Sequence, residues 1–392
     1  MEATSLALDH LLRAAGDPVA ELRDIGPGHP EFERAQTLRA AAGVIAKSPD
    51  AFSAIARAIR IAGGAALSLR KRAHLAAAEA WLSGDPVLAA ERYAAILASW
   101  PRDLLALRLA QSCYFFLGWH QRLCAVVDAV MPAWSRDEHG FGYVLAMASF
   151  AHAENGDAAS AEALGREALT INPACPFGVH AVAHAIAESG RPRDGARWMR
   201  EQHAHWAGES RMRTHNAWHL AMFDVEDGNF SSALGILDDW LLPAADESPI
   251  EACDAAGLLS RLADEGIDDA GRWLRISDAF ERSLVPGFWP FVDLHAGLSH
   301  FAAGKRQRAQ RLIEMVEHRA EGSDFAAMRA REITLPGLNA LVAGAQPALG
   351  GTGGSRIQLE VFKSIGPERP STKEQSKWKD KESTSDHAFA GQ

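Results

Sequence analysis

The sequence predicts an all-α protein, an α-α superhelix (α-solenoid) of about seven to eight helical hairpins with a disordered C-terminal tail. Three observations carry that prediction. Ala, Leu, Arg and Glu dominate and β-branched runs are few, as in helical chains. Helical stretches of about 12–15 residues each end at a glycine, the expected left-handed cap. Those glycines also recur: Gly84, Gly118, Gly156, Gly190, Gly228, Gly266 and Gly304 stand 34, 38, 34, 38, 38 and 38 residues apart. A fixed period of that size marks stacked helical repeats.

The elements follow in order. Residues 1–65 read as helices outside this register, with "DIGPGHP" (24–30) as a Gly/Pro loop, and are expected to cap the solenoid. Residues 66–345 form the repeat domain. Within it Gly84 is followed by Ala89, Tyr93 and Pro101, and Gly156 by Ala161, Ala168 and Pro173. A small Ala lets the second helix of a hairpin approach the first, and the Pro stops it. This is the tetratricopeptide spacing, and looser units keep the turn and Ala233 or Ala309. Residues 346–363 are a Gly-rich segment and short helix; "GGTGGS" follows no predicted strand and reads as a turn rather than a phosphate cradle. Residues 364–392 are polar, mixed in charge and poor in aliphatics, so they are expected to be disordered.

Composition narrows the partners. The 392 residues are 47% hydrophobic and 23% charged, ordinary for a globular chain, and a net charge of −10 argues against a nucleic-acid or anionic-membrane partner. No apolar run approaches the roughly 20 residues of a membrane span, and the N-terminal stretch, with Glu2 and Asp9, does not read as a secretory leader. Cys113, Cys124, Cys175 and Cys253 are scattered without C-x-x-C spacing, which suggests reduced, mostly buried thiols in a cytoplasmic protein. Neither G-x-S-x-G, a P-loop nor G-x-G-x-x-G occurs.

The chemistry-bearing signal is histidine. "VHAVAH" sets His180 and His184 four apart, and "THNAWHL" does the same with His215 and His219. Counted back from the turn glycines, these positions lie on one side of the first helix of adjacent hairpins, so both pairs should face one concave groove. At least one atom of one pair is expected within about 8 Å of the other, given helices about 8–10 Å apart. His295 shares the register two repeats later and should arrive only if the superhelix tightens. An acid stands two residues before four successive turns, at Glu154, Glu188, Glu226 and Asp264; Glu188 would extend a polar stripe with His180 and His184. Such acids also solvate helix ends. Paired imidazoles at this spacing can ligate a transition metal, act as general acid or base, bind an anion, or simply be satisfied core groups. His203 and His205 read as surface or interhelical residues, and Trp206 and Trp218 as the tryptophans nearest the groove.

Several strings together, "GVHAVAHAIAESGR", "THNAWHLAMFDVEDGNFSSALGILD", "IEACDAAGLLSRLADEGIDDAGRW", "FVDLHAGL" and "RDLLALRLAQSCYFFLG", resemble the tetratricopeptide repeat protein 38 family over roughly residues 1–362. The resemblance implies a helical superhelix closed over an inner pocket. It implies motif positions at His180, His184, His215, Asn216, His219, Asp293 and His295, and at Ser355 and Gln358 in "GGSRIQLEVF". It implies no reaction. The functional expectation is a helical-repeat protein binding a small ligand or substrate in a histidine-lined pocket. The alternatives are an enzyme using the histidines as acid/base groups or as a site for a divalent metal, and a scaffold that binds peptide segments.

Overall fold

The computed structural model describes residues 2–63 and 67–343. Among the described residues the chain is helical, and an isolated bridge between Ala15 and Ser210 is the nearest it comes to a sheet. Three helices, α1 (Ala3–Arg13), α2 (Phe32–Ala46) and α3 (Phe52–Ala62), precede the repeats. Hairpins then follow in series: α4 (Leu69–Leu82) with α5 (Pro86–Ser99), α6 (Leu104–Leu117) with α7 (His120–Val130), and α8 (Phe141–Glu154) with α9 (Ala158–Ile171). Next come α10 (Pro176–Glu188) with α11 (Pro192–Glu201), a short α12 (His203–Trp206), and α13 (Met212–Glu226). The partner of α13 is α14 (Phe230–Ile236), which runs through a π-helical turn at Leu237–Leu241 into α15 (Leu242–Ala245). The last two hairpins are α16 (Pro249–Asp264) with α17 (Ala270–Ser283) and α18 (Pro290–Ala302) with α19 (Arg306–Ala320). Helices α20 (Phe325–Arg329) and α21 (Leu335–Val342) end the described chain. The Gly-rich segment 346–363 and the tail 364–392, with Ser355 and Gln358, lie outside the described residues.

The hairpin turns form where the glycine period placed them. All seven repeat glycines have φ between 65° and 86°, a conformation that would strain a residue with a Cβ. After two of them an aspartate caps the second helix: Asp85 accepts from the Leu88 N–H at 2.9 Å and Asp157 from the Ser160 N–H at 3.1 Å. Ala89, Ala161, Ala233 and Ala309 are buried at the hairpin contacts. The first helices form the inner layer. Eleven of the thirteen residues of α10 are buried, against four of the ten in its partner α11. A helix buried almost all round has neighbours on every side, so polar residues on it must find partners inside the protein.

The superhelix closes on itself. Phe116 of α6 packs against Phe288, Trp289 and Phe325 at ring distances of 5.7, 5.3 and 6.4 Å, and Phe52 of α3 against Phe288 at 5.9 Å. On the other side α1 docks across the repeats. The Tyr143 hydroxyl donates to Asp9 at 2.6 Å, and the Arg211 N–H donates to the Ala14 carbonyl at 2.7 Å. No described helix is long and apolar enough to cross a membrane. All four cysteines are free and buried, as their scattered spacing suggested.

Candidate functional site

Helices α10 and α13 bring the two histidine pairs together on the inner layer. Ring centroids of His180 stand 4.9 Å from His215 and 5.0 Å from His219, and those of His184 and His219 are 4.7 Å apart. The expected approach of the pairs is met with room to spare. The four rings can each offer one nitrogen such that all four atoms lie within 4.8 Å of one another, so the group can hold a metal ion. His180, His184 and His219 are buried, and His215 is nearly so.

The orientation of the rings is set from outside the cluster. Glu154, at the end of α8, places Oε1 3.1 Å from Nδ1 of His184 and Oε2 3.4 Å from Nδ1 of His120. Asp254 of α16 lies 2.9 Å from Nδ1 of His215. An ionised carboxylate can only accept, so Nδ1 of His184 and Nδ1 of His215 carry protons and their Nε2 atoms lie on the far side of each ring from the acid. Nε2 of His184 sits 2.9 Å from Nε2 of His180. Nε2 of His219 and Nδ1 of His180 are buried without a hydrogen-bond partner. Trp218 stacks on His215 at 5.3 Å with the planes 9° apart, and Phe150 covers His180 and His184 at 5.5 Å each.

Electrostatics follow from that geometry. Burial would raise the Glu154 carboxyl, but hydrogen bonds and charge from His120 and His184 override it and bring it down to about 2. His180 and His219 are pushed well below the usual imidazole value by burial and by the neighbouring rings, so both are neutral at pH 7. Burial also opposes charge on His215, but Asp254 outweighs it and raises the ring. Burial and the charge of Asp254 lift Glu251, beside them, to about 7.

The remaining sequence candidates separate. Glu188 makes no hydrogen bond to the histidines; the acid that reaches His184 is Glu154, from the preceding hairpin. Asn216 turns away and donates to the Pro176 carbonyl at 3.4 Å, tying α13 to the start of α10. Asp293 is buried and accepts from the Gly287 N–H at 3.1 Å, and burial lifts it to about 7. His295 donates Nδ1–H to the Phe291 carbonyl at 2.7 Å, which leaves Nε2 on the Trp218 side of α16; it stands outside the four-nitrogen group. Trp206 packs instead with His203 and Trp240 away from the cluster, and His203 and His205 are exposed. Asp254 and His120 were not singled out in the sequence, because both act across hairpins. A second group, Cys124, Asp128 and His152, also brings three donor atoms within 4.8 Å, with Asp128 exposed.

A pocket opens beside the centre. It is lined by Arg108, Gln111, Tyr143, Phe150, Phe177 and His180 among others, and its interior volume is about 60 Å³.

No family model matches the sequence. A tetratricopeptide repeat protein from Parabacteroides merdae is similar in structure at 13% identity, over 69% of this chain and 98% of that one, with a TM-score of 0.38. The architecture is read from the chain itself: seven helical hairpins, left-handed turn glycines and buried alanines give it a tetratricopeptide-like helical-repeat fold.

Proposed function

We propose that this protein holds a transition-metal ion on His180, His184, His215 and His219 and presents it to a small molecule entering beside His180. The observation that carries this reading is the placement of the acids. Glu154 and Asp254 sit on the Nδ1 side of His184 and His215, the carboxylate–histidine arrangement that orients imidazoles toward a metal and raises their basicity. A buried cluster of imidazoles in which Nδ1 of His180 and Nε2 of His219 lack hydrogen-bond partners is otherwise costly. Four imidazoles suit zinc, copper, iron or nickel. They complete a tetrahedral ion and leave positions free on one that prefers six ligands; the pocket at His180 favours the latter. Such an ion supplies Lewis-acid or redox chemistry when bound. The same reading keeps the resemblance to the tetratricopeptide repeat protein 38 family and a cytoplasmic setting, supported by the histidine motifs and the four free cysteines. It ranks above a peptide scaffold because histidines and their acids occupy the inner wall.

Elemental analysis of the full chain, purified without a metal-affinity tag, should find a single transition-metal ion per chain. His184→Ala and His219→Ala should lose it while keeping a helical circular-dichroism spectrum and cooperative melting. No bound metal, together with no uptake of added Zn²⁺, Co²⁺, Ni²⁺ or Fe²⁺, would end the reading.

A further inference from the structure

The pocket that reaches His180 carries an unexplained charge. Arg108 of α6 lines it, and among the described residues its side chain has no hydrogen bond or carboxylate partner; Nε is buried and unsatisfied. Its guanidinium lies over the ring of Phe177, 4.8 Å from the centroid. Elsewhere in this acidic chain many arginines pair with acids, as Arg200 does with Asp224 and Arg272 with Asp238, and others such as Arg39 and Arg92 donate to backbone carbonyls. Desolvation brings the Arg108 guanidinium down to about 10, so it stays charged at neutral pH. A second cation stands nearby. Lys47 lies over the Phe115 ring at 5.8 Å, and burial together with the charge of Arg108 brings its ammonium down to about 7. Lys47 also holds a left-handed backbone, with φ of 47°, at a helix end where glycine or asparagine is the usual choice. The Tyr143 hydroxyl on the pocket wall is taken by Asp9, which faces Arg13 at 3.4 Å, so this acid does not neutralise Arg108.

We propose that this pocket binds a small amphiphilic carboxylate, with its anionic head on Arg108 under the field of Lys47 and its apolar body along Phe150 and Phe177 toward His180. A planar guanidinium matches a carboxylate through two parallel N–H donors. One firm positive charge and one half-suppressed one balance a monoanion, while a dianionic phosphate monoester would keep uncompensated charge in a partly desolvated space. The walls between head and histidines are aromatic and aliphatic, including Leu12, Ala146 and Met147. Only the role of the far end, facing the metal, rests on the preceding proposal; recognition of the head does not.

Octanoate, octanol and octyl phosphate are the probes, titrated calorimetrically into the full chain as purified and again after chelation, with a melting curve confirming that the chelated protein is folded. Octanoate should bind in both states and raise the melting temperature, and octanol should do neither measurably. Arg108→Gln should weaken octanoate binding about tenfold or more, and Lys47→Met by less. Should Arg108→Gln fail to fold, the comparison of octanoate with octanol on the wild-type chain still decides. Equal binding of acid and alcohol, an unchanged affinity in folded Arg108→Gln, or preference for octyl phosphate would each overturn the assignment. Octanoate binding by a chain that carries no metal as purified and takes up none when it is added would sink the metal reading alone.

Discussion

Two inner-wall histidines occupy the same place in their hairpins and meet opposite fates. His74 and His180 each stand ten residues before a turn glycine, Gly84 and Gly190. Nε2 of His74 lies 2.8 Å from Asp103, whose second oxygen caps α6 through the Ala106 N–H at 2.9 Å and which also takes Arg70 Nε at 2.5 Å. Both oxygens of that carboxylate are engaged, and Nε2 of the imidazole is spent on it. At His180 no acid enters the space between the rings. Glu154 and Asp254 hold the neighbouring histidines from behind, and Nε2 of His184 meets Nε2 of His180 at 2.9 Å. The difference is one of ring nitrogen: Asp103 takes Nε2 of its histidine, whereas Glu154 and Asp254 take Nδ1 of theirs, which is the arrangement on which the metal proposal rests.

The largest effect should come from removing the acid that closes the first arrangement. Asp103→Ala leaves a buried imidazole and Arg70 without their counter-charge and α6 without its cap. It should destabilise the chain by roughly 3–5 kcal/mol in chemical denaturation, with metal content unchanged in the folded fraction. The pH dependence has a definite sign. Burial would raise the Asp103 carboxyl, but His74 and Arg70 hold it well below the usual carboxylate range. A depressed folded-state value means the stabilisation is complete above about pH 4 and is lost as pH falls through the folded value. Asp103→Asn should therefore flatten the fall in urea midpoint between about pH 5 and pH 3 relative to wild type. An equal slope in both proteins would show that the pair does not set acid stability.

Second in size is the effect of loosening the outer carboxylates. Glu154→Gln and Asp254→Asn keep the volume of each side chain but weaken its grip on the protonated Nδ1. Metal affinity should fall about 10–100-fold, read by competition with a chromogenic chelator, while melting shifts far less than for Asp103→Ala. If the order of the two effects reverses, so that Glu154→Gln unfolds the chain and leaves affinity alone, the distinction between a closing acid and an orienting one fails.

Much of this was legible in the sequence, and what was not has a common cause. The glycine period located all seven hairpin turns because a left-handed turn residue is a local requirement. The pairing of His180, His184, His215 and His219 followed from helical register within adjacent hairpins. The acids were harder. Glu154 was visible as a recurrent residue before a turn, yet the stripe was read along one helix, with Glu188, when the contact in fact crosses from the preceding hairpin to His184. Asp254 reaches back 39 residues to His215. Asn216 and Asp293 looked alike as motif residues, but one ties two helices together and the other receives a loop N–H. Arg108 stands ten residues before Gly118, the same place as His74 and His180, and its lack of a hydrogen-bond partner among the described residues depends on every neighbouring helix at once.

The smallest effect sharpens the comparison from the surface. Cys124, Asp128 and His152 bring three metal-ligating atoms as close as the interior histidines do. Here, however, the acid again stands inside the group: Asp128 takes Nε2 of His152 at 3.1 Å and the Cys124 thiol at 3.4 Å. Burial and the charge of Asp128 push that thiol up to about 11, so it is not the thiolate a metal needs at neutral pH. Asp128 is half exposed, and exposed pairs contribute little. His152→Ala should accordingly change stability by less than about 1 kcal/mol and leave the metal retained after mild chelation unchanged. Loss of the retained ion in His152→Ala would mean that the tightly held metal sits at this outer group, and that an acid among the donors does not close a site after all.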